Sequence, residues 1–280
     1  MNTKRLIRRS TLVTAVLLAV ALALTGCGGG DNGGDNGGQV TTITMAGSTT
    51  VQPLAEELAN NFTATRTDVQ ITVSGGGSSV GIQAAAAGTV DIGMASRDLK
   101  PEEEALGLVV HVIARDGIAI ISHPSQNVAN VTKNQVKLIF AGNITNWAEV
   151  GGAEAKINVY AREEGSGTRG AFEEMVMKGT SITSSALLFP SNGALRTAVA
   201  GDPNGIGFIS FGYLDDSVKA FAIDGVGATV ENAKNATYPI VRPLLLLTKG
   251  TPTGKVQEFI DWCLGPVGQA IVAKHYIPVM

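Results

Sequence analysis

Cysteine, histidine and aromatic residues are all scarce in this chain. The cysteines are Cys27 and Cys263 alone, and the three histidines, His111, His123 and His275, are far apart in sequence. That spacing offers no Cys/His cluster, so no metal site and no cofactor are expected. Cys263 lies in the apolar helical stretch Phe259 to Leu264, where it suits a small core residue. Charged residues make up only 16% of the chain. Past the N-terminus no apolar run reaches the roughly 18 residues that span a bilayer. The body is therefore expected to be soluble.

What is present begins with an address. Lys4, Arg5, Arg8 and Arg9 precede the apolar run Thr11 to Leu24, the order of a secretory leader. Leu24-Thr25-Gly26-Cys27 follows and resembles the lipobox of bacterial-type lipoprotein signals. The resemblance implies cleavage before Cys27, lipid on Cys27 and an extracytoplasmic protein anchored to the cell membrane. The alternative is an uncleaved anchor helix. Residues 28–39 are a tether, built from Gly28 to Gly38 of Gly, Asp and Asn alone. Such a segment buries nothing and reaches about 18 Å as flexible coil. The leader carries four of the 21 basic residues and none of the 24 acidic ones, which leaves the mature chain seven acids in excess. An acidic protein is a poor general binder of nucleic acid, so an anion must be held by local donors.

The remaining sequence alternates strand and helix signals. Val40 to Met45, Val69 to Ser74 and Thr89 to Met94 are strand-like, and each runs into a small polar loop. Val51, Leu54, Leu58 and Phe62 fall on one helical face, behind a Ser or Thr cap and Pro53. Val80 to Ala87 is helical and stops at Gly88. Leu108 to Ser122 is β-rich with a break at Asp116-Gly117. Lys133 to Phe140 is a helix, and Asn143 to Trp147 a surface loop. Ile157 to Ala161 is a strand, Ser191 caps a helix through Ala200, and Gly205 to Phe211 is another strand. Pro239 to Lys249 is the return crossing, before helices from Thr253 to Lys274 interrupted at Gly265-Pro266. The pattern gives an α/β protein with mainly parallel sheets. A chain that leaves one domain and returns gives two lobes, 40–116 with 240–280 and 117–239, around a cleft.

Four loops carry the chemistry. They are Gly47-Ser48-Thr49-Thr50, Gly77-Ser78-Ser79, Ser96-Arg97 and Gly165-Ser166-Gly167-Thr168, the last beside Arg162. Each presents hydroxyl and N–H donors at a helix start, and Arg162 adds a planar fork of donors. Taken singly, each loop is better explained by ordinary capping. Taken together they could replace the water shell of a phosphate-sized anion. They hold no evident nucleophile–base pair.

On these motifs the chain resembles the PstS family of phosphate-binding components of ABC-type importers. The matching stretches are Ala46 to Pro53, Gly77 to Gly81, Asp91 to Arg97 and Arg162 to Thr168. The resemblance implies a type II periplasmic-binding-protein fold, no enzymatic activity, and phosphate held in the cleft between lobes. It places Thr49, Thr50, Ser78, Ser96, Arg97, Arg162, Ser166, Gly167 and Thr168 at the ligand, with Ser48, Ser79 and Asp98 as further candidates. It also implies permease subunits as partners, and a monomer is expected. The chain departs from the family at Arg97, where well-known members carry an Asp that accepts the phosphate proton. Asp98, Glu163 and Glu164 are the candidate substitutes, and each also suits a solvated helix start. For Arg97 and Arg162 the competing reading is a salt bridge.

Two alternatives stay open at this level. One keeps the class and changes the ligand to sulfate, molybdate or tungstate. The other is a serine hydrolase. Gly77-Ser78-Ser79-Val80-Gly81 fits G-x-S-x-G between strand and helix, with Ser79 as nucleophile and Asp261 and His275 in chain order behind it.

Overall fold

The computed structural model describes residues 40–280. The leader over 1–27, the lipid attachment at Cys27 and the tether over 28–39 lie outside those residues.

The chain opens with β1 (Thr41–Gly47), α1 (Gln52–Thr63), β2 (Val69–Gly76), α2 (Ser78–Ala87), β3 (Ile92–Ala95) and α3 (Pro101–Glu104). Then come β4 (Leu108–Ser122), β5 (Asn130–Val131), α4 (Lys133–Phe140), β6 (Asn158–Arg162), α5 (Gly167–Phe172) and β7 (Leu187–Phe189). The third part holds α6 (Asn192–Ala200), β8 (Gly205–Ser210), β9 (Lys219–Ala220), β10 (Ala222–Ile223) and α7 (Val230–Lys234). It ends with β11 (Val241–Lys249), α8 (Gly254–Leu264) and α9 (Pro266–Val272).

Local chemistry sets most of these limits. Leu54, Leu58 and Phe62 recur at helical spacing, so α1 buries one face against Ile43 and Met45 of β1. Gly88 ends α2 in the left-handed region at φ 71°, where its N–H caps the carbonyls of Ala84 and Ala85. The Ser191 hydroxyl starts α6 by accepting the Ala194 N–H at 3.1 Å. The start of α1 differs from the sequence expectation. Its N-cap is Val51, and the Ser48 hydroxyl serves the turn before it by accepting the Thr50 and Val51 N–H groups.

The main sheet runs β2-β1-β3-β11-β4-β8-β6-β7, with β9 paired to β4. It is mixed, not mainly parallel. Parallel pairs at each end flank a centre in which β11 runs antiparallel to β3 and β4, and β4 antiparallel to β8. β4 is one unbroken strand of 15 residues, because β11 pairs with it up to Gly117 and β8 takes over from Ile118.

Packing changes where the pairing changes. Ile113 and Ala114 belong to a core with Ile43, Leu54, Phe62, Leu246 and Phe259. Ile118 to Ile121 belong to a second core with Phe140, Trp147, Phe172, Leu195 and Phe208. Asp116 and Arg242 face each other across the β4–β11 ladder at the junction of the two. Trp147, expected on a surface loop, is fully buried in the second core, with its Nε1 donating to the Asn204 carbonyl at 3.1 Å. An indole of that size gains more from the core than a loop position would give it.

Candidate functional site

Three strands of the first core end in the first three polar loops. β1 runs into Ser48-Thr49-Thr50, β2 into Gly77 and Ser78 at the start of α2, and β3 into Ser96-Arg97. From the second core, β6 ends in Arg162, and α5 begins after Ser166, whose hydroxyl caps it by accepting the Arg169 N–H at 3.3 Å. Strand-to-helix turns of this kind leave the first helical N–H groups without partners inside the helix.

The hydroxyls meet. Ser48 Oγ donates to Ser96 Oγ at 2.8 Å, and Ser78 Oγ accepts the Ser96 N–H at 3.0 Å. Ser78 and Ser96 Oγ are 3.5 Å apart. Thr50 Oγ1 and Thr168 Oγ1 are 3.0 Å apart, linking residues 118 positions distant in sequence. Ser48, Thr50, Ser78, Ser96, Ser166 and Thr168 are all buried. The α5 backbone approaches so closely that a methyl on Gly167 would land on the Ser78 and Ser96 hydroxyls.

Arg162 lies beside this cluster and is 2% exposed. Its Nε donates to the Phe189 carbonyl at 3.0 Å, and its Nη2 to the Pro190 carbonyl at 2.7 Å and to Thr49 Oγ1 at 3.3 Å. Its Nη1 has no partner. Among the described residues it is the one buried side-chain nitrogen or oxygen left without a hydrogen bond. No acid pairs with it, so the salt-bridge reading of Arg162 does not hold for the described residues. Burial, and then the nearby Arg242 charge, push the Arg162 guanidinium down to about 10. A buried cation with no acid partner and a free Nη1 is what an oxyanion satisfies.

The structure gives Arg97 other partners. Its Nη1 and Nη2 make a bidentate bond to Glu103 at 2.6 and 2.8 Å, and Nη2 also donates to Ser79 Oγ at 3.1 Å. Ser96 and Arg97 lie in the bend after β3, where the Ser96 hydroxyl meets Ser48 while the Arg97 guanidinium turns to Glu103 and Ser79. Arg97 therefore lines an open cleft with Ser79, Lys100, Ser166 and Arg169, next to the hydroxyl cluster and not within it. Asp98, Glu163 and Glu164 are exposed. The carboxylate buried at the cluster is Asp116, which the sequence reading did not select. It accepts from Arg242 Nη2 at 2.9 Å and from the Phe211 N–H at 3.2 Å. Burial raises the Asp116 carboxyl and lowers the Arg242 guanidinium, and the opposite charge of each partner works against the other's shift.

Two more residues went unselected. Arg242 Nη2 donates to Thr50 Oγ1 at 3.1 Å, and Asn192 Nδ2 donates to the same oxygen at 2.9 Å. Arg242 sits in β11 and Asn192 opens α6, outside the four loops picked out by the sequence. Arg242 at the head of the apolar run Pro243 to Leu247 was the available signal, since a charge there needs a buried partner.

Comparison with known proteins agrees with this arrangement. A PBP superfamily domain matches residues 34–267. The phosphate-binding protein PstS of Bacillus subtilis is 35% identical over 245 residues, spanning 85% of this chain and 81% of that protein. The chain belongs to the PstS family of phosphate-binding proteins.

Solved structures of the same kind superpose on it. A Clostridium perfringens protein assigned to phosphate ABC transport, crystallised with bound phosphate, is 45% identical with a TM-score of 0.84. The match covers 86% of this chain and all of that one. An ABC-type phosphate transport receptor from Vibrio cholerae is 34% identical with a TM-score of 0.72, over 84% and 99% of the two chains. The fold is thus the α/β periplasmic-binding-protein fold that the PstS resemblance implies. PstS proteins are binding proteins and not enzymes, and the hydrolase alternative fails on geometry as well. Ser79 Oγ is held by Arg97, while His275 is exposed and Asp261 accepts from Gln257 on α8.

Proposed function

We propose that this chain is the extracytoplasmic binding protein that captures inorganic phosphate and hands it to the permease subunits of an ABC importer. The observation that carries the reading is the unpartnered, buried Arg162 Nη1 beside hydroxyls drawn from both apolar cores. Thr49, Thr50, Ser78, Ser96, Arg162, Ser166, Gly167 and Thr168 hold the anion. Arg97 acts from outside the first layer, through Ser79 and Glu103. Ser48 supports Ser96. The lobes are 40–116 with 240–280 and 117–239, and closing them brings Thr50 to Thr168. No bond is made or broken. The protein works as a monomer, tethered to the membrane by lipid on Cys27.

Calorimetric titration of the purified protein with phosphate, arsenate, sulfate and molybdate tests this reading. Phosphate and arsenate are expected to bind most tightly. Tighter binding of sulfate or molybdate would replace the ligand, and no binding of any of them would overturn the proposal.

A further inference from the structure

Arg242 spends all five of its N–H groups inside the protein. Nε and Nη2 donate to Asp116 Oδ2 at 3.1 and 2.9 Å, and Nη2 also to Thr50 Oγ1 at 3.1 Å. Nη1 donates to the Ser96 carbonyl at 3.1 Å and to Ser96 Oγ at 3.3 Å. A guanidinium in this state has nothing left for a ligand. Its effect on a ligand must pass through the two hydroxyls it touches.

Each hydroxyl has two lone pairs and one proton. At Thr50 one lone pair takes Arg242 Nη2, and the other takes Asn192 Nδ2 at 2.9 Å. The Asn192 amide cannot be reversed, because its Oδ1 accepts the Ser210 N–H at 3.2 Å. At Ser96 one lone pair takes Arg242 Nη1, and the other takes the Ser48 hydroxyl at 2.8 Å. Ser48 is itself set as a donor, since its oxygen accepts the Thr50 and Val51 N–H groups. Thr50 and Ser96 each keep a proton and no free lone pair. The 3.0 Å bond between Thr50 and Thr168 therefore runs from Thr50 while no anion is bound, and that same proton is the one Thr50 turns to a ligand.

We infer that Arg242 is a positioning residue that makes Thr50 and Ser96 obligate donors, and so sets which protonation state of phosphate the site accepts. The inference rests on the phosphate reading above. An obligate donor suits an anion oxygen without a proton and repels one that carries a proton. Ser78, Ser166 and Thr168 retain a lone pair, enough to receive the single proton of the dianion. Asp116 is committed to Arg242 and the Phe211 N–H, so the second proton of the monoanion takes up another of these lone pairs and leaves the fixed donors one unprotonated oxygen fewer. This chain thus selects by fixing its donors, where an acceptor carboxylate is missing at Arg97.

Around Thr50 and Ser96, burial raises the Asp116 carboxyl while Arg242 holds it down, and the remaining titratable groups lie above the neutral range. Arg162 lies well above that range, at about 10. Burial pushes the Tyr213 and Tyr276 hydroxyls up, and they donate to the Thr49 and Thr50 carbonyls. The pH dependence of binding then reports the ligand's own proton.

The test titrates phosphate and sulfate into the full chain and into Arg242→Gln, at about pH 6 and about pH 8. The unaltered protein is expected to bind phosphate about tenfold tighter at the higher pH, as the dianion fraction rises. In Arg242→Gln one lone pair is freed on each hydroxyl, so that preference is expected to disappear. Sulfate affinity is expected to fall about tenfold more than phosphate affinity. Arg242→Lys can donate to one hydroxyl only and should fall between. Arg242→Gln strands Asp116, so Asp116→Asn with Arg242→Gln is measured alongside and should give the same change. Asn192→Ala frees a lone pair on Thr50 alone and should give part of it. Equal losses for both anions at both pH values would overturn the role of Arg242. An unaltered protein that binds no phosphate would instead overturn the function and, with it, this inference.

Discussion

Replacing Arg162 by Gln separates what this residue costs the empty protein from what it gives the bound one. The side chain is 2% exposed, and its Nη1 has no partner. Its guanidinium is pushed from 12.5 to about 10, chiefly by burial. That fall corresponds to about 3 kcal/mol against the charged form. An oxyanion seated on Nη1 removes that penalty, so about 3 kcal/mol of binding free energy is tied to this charge, or roughly a hundredfold in affinity. The variant also loses the bonds to the Phe189 and Pro190 carbonyls, about 1 kcal/mol each. Relief of the buried charge offsets that loss, so the ligand-free melting temperature should move by less than about 4 °C. Calorimetry with phosphate and a thermal melt without it measure both quantities. An affinity within about threefold of the unaltered protein would refute the assignment of Arg162. So would a large drop in ligand-free stability, which would make it a structural residue.

Arg97→Gln should behave in the opposite way. It breaks a buried bidentate pair with Glu103, so a loss of about 3 kcal/mol and a melting temperature lower by roughly 6–12 °C are expected. Phosphate affinity at a temperature where the variant is folded should change less than in Arg162→Gln. Gly167→Ala places a methyl on the Ser78 and Ser96 hydroxyls and should abolish phosphate binding by calorimetry while a circular dichroism spectrum stays unchanged. At about pH 10, where free Arg162 is half protonated, phosphate binding should take up about half a proton as the anion raises its pKa. Binding heats in two buffers of different ionisation enthalpy would show it, and no buffer dependence would contradict it. Ser79→Ala should leave phosphate affinity within about threefold, because Ser79 Oγ faces Arg97 and not the cluster.

The glycine and hydroxyl loops were legible because their chemistry is local. A strand that ends in Gly, Ser and Thr before a helix announces unpaired donors, and Arg162 stands in sequence beside its loop. The α/β class followed from the same alternation. The central antiparallel crossing did not, since pairing of β4 with β11 joins residues more than a hundred positions apart. Asp116 and Arg242 were hidden for that reason. Each is a charge buried within a largely apolar strand, and only the ladder brings them face to face. The family resemblance places Arg97 with Ser96 at the ligand, but in the bend after β3 its guanidinium is taken up by Glu103 and Ser79, partners the resemblance does not indicate. Asn192 carried no signal beyond its place at the start of a helix capped by Ser191.

A crystal structure of the protein with phosphate tests the central claim most directly. The account predicts one anion accepting from Arg162 Nη1, from the Thr50, Ser78 and Ser96 hydroxyls and from the first residues of α5, with Arg242 still bound to Asp116. Phosphate seated instead in the open cleft between Arg97 and Arg169, with Arg162 Nη1 left unpaired, would contradict it.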